Sequence, residues 1–304
     1  MSDHWNTQRE RSNHLMLNLL MWCSLTVGRN VMAVVALFTA LYFVVTSAKA
    51  RNASRDYLQR VLPGPVKLRH IIKHFYTFAR VSFDRLYILS GRNRGITTTF
   101  RGRENIEEKI LNRSGVILLV AHMGSFEIMR VLGEFHTNIV INILMDRKHN
   151  QRAMDIIEKM DPELATRIID ANLGSIDIAM AIQARMNNHE MVGIMADRTL
   201  PGDDHSQCDF LGQSAYFPMS PWRLAVVLNV PIIMCAGLYQ GRGHYELHFE
   251  IISEQFSAPR REREAVIRAG LEKYVEKLES FCRHSPYNWF NFYPFWSDEA
   301  LKHH

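Results

Sequence analysis

The sequence predicts an α/β fold, in which helices flank a central, largely parallel sheet and a membrane-associated helix precedes them. Two observations support this prediction: short apolar runs alternate with helical patterns through most of the chain, and one long uncharged stretch lies near the N-terminus. Strands that alternate with helices favour crossover connections and therefore parallel strand pairs. The chain has 304 residues, 47% of them hydrophobic, which suffices for a substantial core. We expect an N-terminal anchor in residues 1–50 and a globular domain in residues 51–304.

The uncharged stretch is Val31–Ala48, whose length is near the lower limit for a helix that spans a bilayer. A second apolar stretch, Leu15–Val27, precedes it. The basic residues that follow predict that the globular domain lies on the cytoplasmic side of a membrane; they are Lys49, Arg51, Arg55, Arg60 and Lys67. A buried core helix is one alternative, and a leader peptide cleaved near Ala48-Lys49-Ala50 is another. The anchor is the interpretation that we favour.

Helical and strand patterns then follow in order along the chain. Ser54–Ser90 has the apolar spacing of a helix, interrupted near Pro63. The next predicted elements are strand Thr97–Arg101, helix Glu104–Leu111, a strand from Gly115, strand Ile139–Leu144, helix Gln151–Met160, strand Arg167–Asp170, helix Ile176–Met186 and strand Met191–Ala196. Asp197–Phe217 is predicted to be a long irregular segment. Helix Ser220–Leu228, paired strands Ile232–Leu238 and Tyr245–Ile251, helix Arg260–Phe281 and an aromatic tail complete the chain.

A histidine at the end of a strand is the first candidate for chemistry. The apolar run Gly115–Ala121 predicts a strand buried on both faces, and it ends at His122. Gly124-Ser125 then predicts a turn and a helix N-cap, which places Glu127 in the first helical turn. A histidine oriented by an acid can act as a general base. The alternative is a histidine satisfied by the local backbone, with Glu127 only complementing the helix N-terminus.

A second charged position follows another buried strand. Met191–Ala196 is apolar and ends at Asp197-Arg198. If both strands belong to one parallel sheet, their carboxyl ends lie at the same edge, where open α/β sheets carry their ligands. We therefore expect His122, Glu127 and Asp197 to gather there.

Composition limits the class of partner. The net charge is +5 and the pI about 9.0, which suits an anionic lipid, a phosphorylated substrate or an acidic carrier protein. The basic residues are scattered, without a nucleic-acid recognition module, so nucleic acid is not expected as a partner. The four cysteines lie far apart, and no cluster with metal-ligand spacing stands out. We expect neither a metal nor a cofactor.

Several motifs together resemble one family. The run from His122 to Glu127 is similar to the H-x4-(D/E) signature of the lipid A late acyltransferases, which belong to the glycerolipid acyltransferase superfamily. Further blocks in the same order resemble that family; they are Ala196-Asp197-Arg198, Phe210-Leu211-Gly212, Pro218-Met219-Ser220-Pro221, Val230-Pro231-Ile232-Ile233 and the ending from Pro286-Tyr287-Asn288-Trp289 to Phe295-Trp296. The resemblance extends from about residue 10 to residue 296.

The resemblance implies a reaction. It is the transfer of a fatty acyl chain from acyl carrier protein, or coenzyme A, to a hydroxyl of a lipid at the cytoplasmic face of the inner membrane, which makes residues 51–304 an acyltransferase domain. His122 would be the general base and Glu127 its orienting acid. By the same resemblance Arg167 and Asp197 complete the site. Arg167 could bind phosphate, and Arg147 competes with it for that role.

Two further residues are candidates beside these. Arg198 and Ser125 are expected to contact substrate. Ser125 could instead be the nucleophile of a hydrolase, but the GxSxG elbow of such enzymes is absent.

Two departures from the family pattern bear on the acceptor. Arg198 stands where the family usually has Gln or His, and the segment Asn291–Phe295 lacks the basic residues common before the last tryptophan. This ending is similar to relatives that act on aryl polyene lipids, so such a lipid is an alternative acceptor. A different class of function, an inactive membrane-tethered lipid-binding protein, would be marked by a damaged His/Glu pair. This chain keeps both residues.

Overall fold

The predicted α/β fold with a mostly parallel sheet is confirmed. A computed structural model describes residues 29–104, 107, 115–137, 140–148, 150–199 and 204–296. Its main sheet has seven strands in the order β1-β9-β8-β2-β5-β3-β4, and β6 and β7 form a separate hairpin. The strands are β1 (Thr97–Arg101), β2 (Ile117–Val120), β3 (Ile141–Met145), β4 (Ile168–Asp170), β5 (Met191–Met195), β6 (His205–Phe210), β7 (Gln213–Pro218), β8 (Ile232–Gly241) and β9 (His244–Ser253).

Helices cover both faces of this sheet. They are α1 (Arg29–Thr46), α2 (Ala48–Val61), α3 (Leu68–Leu89), α4 (Phe126–Thr137), α5 (Gln151–Met160), α6 (Pro162–Thr166), α7 (Ser175–Asn187), α8 (Ser220–Leu228) and α9 (Arg263–His284). Most of the predicted helices and strands agree with these bounds to within a few residues. The predicted helix Glu104–Leu111 lies largely outside the described residues.

Strand β2 lies inside the sheet, parallel to both of its neighbours, β5 and β8. Its side chains alternate between two apolar cores: Ile117 and Leu119 pack on the side of α9, and Leu118 and Val120 pack on the side of α4. All four are buried. The end of β2 is therefore held rigidly, since a strand buried on both faces has no freedom to shift register.

The N-terminal helices differ from a simple anchor. Helix α1 buries one narrow stripe against α3, made of Met32, Ala36, Ala40 and Val44. Arg29, at its start, donates to both carboxylate oxygens of Asp84 on α3, at 2.9 and 3.1 Å. In the described part of the chain, no single helix is both long and apolar enough to cross a membrane; the segments Val31–Thr46 and Ala48–Val61 meet that test only as a pair bent by 102°. The apolar stretch Leu15–Val27 lies outside the described residues.

The segment predicted to be irregular, Asp197–Phe217, contains the β6–β7 hairpin instead. Its connection is two residues long, and both Leu211 (φ 52°) and Gly212 (φ 81°) are left-handed. A two-residue turn of this kind requires positive φ at both positions. Leucine rarely adopts that conformation, so the turn has no clear signal in the sequence.

Candidate active site

The turn after β2 places His122 at the carboxyl edge of the sheet. Gly124 has φ +56°, and a Cβ at this position would overlap the carbonyl oxygen of Gly237 on β8. The Ser125 N–H donates to that same oxygen at 2.9 Å. The Ser125 hydroxyl then accepts from the N–H of Ile128 at 3.2 Å, as a helix N-cap does. Only glycine fits so close to the neighbouring strand. The turn that it forms sets the direction in which His122 leaves β2.

Asp197 is the carboxylate that contacts His122. The Nδ1 atom of His122 lies 2.8 Å from Asp197 Oδ1, and the backbone N–H of His122 donates to Oδ2 at 3.0 Å. A carboxylate only accepts, so Nδ1 carries the proton and Nε2 holds the lone pair. Among the described residues none bonds Nε2. The imidazole is 36% exposed, whereas Asp197 is fully buried beneath it.

The register of the sheet explains this contact. Val120 of β2 pairs with Met195 of β5, so the residues two positions beyond each strand, His122 and Asp197, lie at the same level. They share the sheet edge that the sequence predicted.

Glu127 has a different partner from the one expected. Its Oε1 lies 2.7 Å from the guanidinium of Arg85 on α3, and the Ser125 hydroxyl donates to Oε2 at 3.5 Å. The expected hydrogen bond from His122 to Glu127 is thus replaced by one to Asp197. Because Nδ1 of His122 points toward the end of β5, Glu127 on the following helix accepts no hydrogen bond from the ring. No motif in the sequence singles out Arg85.

The environment keeps His122 neutral and Asp197 charged. Burial lowers the pKa of His122, and the positive charge of Arg198 lowers it further, while Asp197 opposes these effects only in part. Burial alone would raise the pKa of Asp197, but the charge and hydrogen bond of His122, with contributions from Arg198 and Trp289, lower it to about 2. At neutral pH the pair is therefore an imidazole beside a carboxylate, the state that a general base requires.

The C-terminal segment completes the site. Met123 and Trp289 form an antiparallel bridge, and the Phe290 N–H donates to the His122 carbonyl at 2.8 Å. The Gly124 N–H donates to the Asn288 carbonyl at 2.9 Å. The Trp289 indole donates to Asp197 Oδ2 at 3.0 Å. In the sequence analysis Trp289 is only part of the family resemblance, and no role is predicted for it.

The two arginines proposed for phosphate lie at opposite edges of the sheet. Arg167 precedes β4, and the strand pairings align it with Ile117, at the start of β2. Three strand spacings and five residues along the strand separate it from His122 by roughly 20 Å. Its guanidinium is paired with Glu163. The structure therefore does not bring Arg167 to the histidine.

Arg147 lies at the correct edge. It follows β3 by two residues, level with Asp197 and His122, and two strand spacings place its backbone roughly 10 Å from that of His122. Its side chain is 41% exposed and lies 3.6 Å from Glu158. The sequence left the choice between the two arginines open, and the strand register favours Arg147.

Arg198 and Ser125 are both occupied by the protein itself. The Arg198 guanidinium donates to the Phe290 carbonyl at 2.8 Å and lies 5.1 Å from the centre of the Tyr293 ring. Ser125 is buried and caps α4. Ser125 is therefore unsuited to contact substrate or to act as a nucleophile. Arg198 holds the C-terminal segment in place next to Asp197.

One group among the described residues could hold a metal ion: Glu246, His248 and His284. The Nε2 atoms of the two histidines lie 3.4 and 3.1 Å from one Glu246 oxygen, so hydrogen bonds already link the three. The group lies between β9 and the end of α9 and shares no residue with the His122 site. The sequence did not predict it because its members are far apart in the chain.

Comparison with known proteins decides the family. The family model described as bacterial lipid A biosynthesis acyltransferase matches residues 4–297. The chain belongs to this family. The resemblance predicted from the motifs is thereby confirmed over nearly the whole chain. No curated protein matches the chain.

Membership in the lipid A acyltransferase family implies an acyltransferase of lipid biosynthesis with a lipid acceptor. In the structure, a buried carboxylate is hydrogen-bonded to the histidine of the H-x4-E motif, and the C-terminal segment packs against this pair.

Proposed function

We propose that this protein transfers a fatty acyl chain from an acyl-thioester, carried by acyl carrier protein, to a hydroxyl of a lipid A precursor, with His122 as the general base. One observation carries the proposal: the imidazole is held at Nδ1 by a buried carboxylate while Nε2 lies at the exposed edge of the sheet. A neutral imidazole arranged in this way can accept a proton at Nε2.

The step follows from that geometry. The acceptor hydroxyl attacks the thioester carbonyl as Nε2 takes its proton, and the new C–O bond forms. The C–S bond then breaks, and the leaving thiolate takes from the imidazolium the proton that came from the hydroxyl, which regenerates the neutral imidazole. Asp197 stays ionised throughout and stabilises the imidazolium, because its pKa of about 2 lies far below that of the ring.

Glu127 and Arg85 support this base from the other side. Glu127 neutralises a guanidinium whose positive charge lowers the pKa of His122, and it complements the N-terminus of α4. Without that carboxylate, the unbalanced charge of Arg85 would make the imidazole a weaker base.

Arg147 is the residue that we assign to phosphate on the donor or the acceptor. It lies at the same edge as His122 and is exposed, and a guanidinium binds phosphate oxygens in pairs. The net charge of +5 favours docking of an acidic carrier protein. Donor affinity should therefore fall as ionic strength rises.

Membrane attachment is proposed through α1. Its outer face exposes a continuous set of large apolar side chains, namely Val31, Val34, Leu37, Phe38, Leu41, Tyr42 and Val45. A helix with such a face binds in the membrane interface or packs beside a further apolar segment. We propose that this face holds residues 51–304 on the cytoplasmic side of the inner membrane.

This attachment can be tested without disturbing the core. The double variant Phe38→Glu/Val45→Glu changes two exposed positions, and we expect most of the protein to leave the membrane pellet on sedimentation. Val227→Glu, at an equally exposed apolar position on α8, is the matched control and should stay bound. Equal pelleting of the double variant and the wild type would contradict the proposal.

The alternative acceptor, an aryl polyene lipid, gains no support from the structure. It depended on the ending Asn291–Phe295, in which Asn291 and Phe295 are buried, and Phe292 packs against His74 and Phe75. The buried members of this segment build the core, whereas Pro294 is exposed. An inactive lipid-binding protein is equally unsupported, since the histidine keeps a buried acid.

The reaction is tested by incubating the purified protein with labelled acyl-acyl carrier protein and a hydroxylated lipid A precursor in detergent. We expect a lipid product heavier by the mass of one fatty acid minus water, detected by mass spectrometry. Release of free fatty acid without that product would indicate a hydrolase. Transfer from acyl-CoA at equal efficiency would contradict the choice of carrier protein.

A further inference from the structure

We propose that Trp289 and His74 are positioning residues that hold the catalytic pair, through a series of hydrogen bonds that leads from α2 to His122 by way of the backbone carbonyl and the indole of Trp289. This inference rests on the proposed function, in which His122 is the base. The chain runs from Ser54 through His74, Trp289 and Asp197 to the imidazole.

The first link to the base is the Trp289 indole. Its N–H donates to Asp197 Oδ2 at 3.0 Å, the same oxygen that accepts from the backbone N–H of His122. These two donors leave Oδ1 to face Nδ1 of the ring. The indole thus fixes the rotation of the carboxylate and shares its negative charge.

The second link fixes Trp289 itself. The Nε2 atom of His74 lies 2.8 Å from the Trp289 carbonyl, and its Nδ1 lies 2.9 Å from the Ser54 hydroxyl. A carbonyl can only accept, so Nε2 carries the proton and Nδ1 accepts from Ser54. His74 is fully buried, which lowers its pKa to about 4 and keeps it neutral. In this tautomer each ring nitrogen of His74 has one hydrogen-bond partner. Loss of either partner would leave a buried polar group unpaired.

The chain also connects two parts of the molecule. Ser54 lies on α2, His74 on α3 and Trp289 in the C-terminal segment, where its ring packs at 5.0 Å from Tyr57 and 5.3 Å from Phe210. The two helices that contact α1, α2 and α3, are therefore joined by buried hydrogen bonds to the proposed base.

The variant Trp289→Phe tests the first link. It removes one donor from Asp197, so the carboxylate holds more of its charge and raises the pKa of His122. We expect kcat to fall about tenfold or more with KM little changed, because a hydrogen bond to a charged group is among the stronger ones. The acid limb of the pH profile should move to higher pH.

Trp296→Phe is the matched control. Trp296 is buried in the same aromatic cluster, and its indole donates to the Phe210 carbonyl at 3.1 Å without touching Asp197. The two variants lose the same atoms from the same core. If both shift the pH profile alike, Trp289 acts only through packing and the proposal is wrong.

His74→Gln and His74→Leu test the second link. The glutamine amide can still donate to the Trp289 carbonyl, whereas leucine cannot. We expect the glutamine variant to retain kcat within a fewfold of the wild type and the leucine variant to lose about tenfold, in proportion to its change in pH profile. Equal losses in both would contradict a positioning role for His74.

Nuclear magnetic resonance of ¹⁵N-histidine separates this inference from the proposed function. The pKa of His122 can be followed in the wild type and in both tryptophan variants without any substrate. An upward shift in Trp289→Phe alone supports the chain even if the protein transfers no acyl group. An unchanged pKa in a folded Trp289→Phe protein overturns it.

Discussion

Two carboxylates lie near His122, the proposed base, and they differ in nearly every respect. Asp197 is 75 residues away in sequence, fully buried, and bonded to both the ring and the backbone of His122. Glu127 is five residues away, at the start of α4, and is paired with Arg85. The nearer acid in sequence is thus the one that does not touch the ring. Closeness along the chain proved a poor guide, because the ring orientation is set by the neighbouring strand.

The difference assigns separate tasks to the two acids. In the proposed mechanism, Asp197 fixes the tautomer of His122 and stabilises the imidazolium, whereas Glu127 balances the positive charge of Arg85. Substitutions at these positions should therefore differ both in size and in the parameter that changes.

We expect the largest effect when the imidazole itself is removed. His122→Ala should lower kcat by about 10²–10⁴-fold, the usual contribution of a general base, with the fold intact by circular dichroism. Labelled acyl transfer under saturating donor measures the loss. Activity within about tenfold of the wild type would exclude His122 as the base.

Next in size is Asp197→Asn. The asparagine amide can donate to Nδ1, which would move the ring proton to Nε2 and abolish the base; we expect a loss of about 10²-fold in kcat. Asp204→Asn, an exposed aspartate that pairs with Arg223, is the control and should be active.

Glu127→Gln should cost less, about tenfold, since it leaves the His122–Asp197 pair in place. The substitution exposes the ring to the full charge of Arg85 and should therefore lower the pKa of His122. Arg85→Gln removes the same charge, and the double variant should recover part of the loss. If Glu127→Gln is more damaging than Asp197→Asn, the assignment of the two acids is reversed.

The smallest effect expected is the position of the acid limb in the wild type. Since burial lowers the pKa of His122 below its ordinary value of 6.5, kcat/KM should be fully developed above pH 6.5 and fall only as the pH drops through that lowered value. Asp197, with a pKa of about 2, adds no second ionisation in this range. A midpoint above pH 6.5 would show that the carboxylate of Asp197, and not burial, has the larger effect on the pKa of His122.

Much of the scaffold was predictable from sequence. The strand before His122 and the strand before Asp197 were predicted because buried parallel strands are continuous apolar runs, and their shared edge follows from parallel topology. The hairpin at residues 205–218 was missed because its turn depends on a left-handed leucine.

The site was predictable only in outline. Which acid meets the imidazole, which arginine lies at the active edge, and where Trp289 donates all depend on strand register. Register is fixed by the packing of whole strands and leaves no local pattern around Asp197 or Arg147. Trp289 is 92 residues from its partner carboxylate, so no motif links them.

The bridge between Met123 and Trp289 has a consequence for biosynthesis. The segment that contains Trp289 must emerge from the ribosome before its indole can reach Asp197, so a nascent chain without that segment lacks this hydrogen bond even when its sheet has formed. In the proposed mechanism such a chain would transfer no acyl group, so activity would begin only after residue 289 had been translated and had docked.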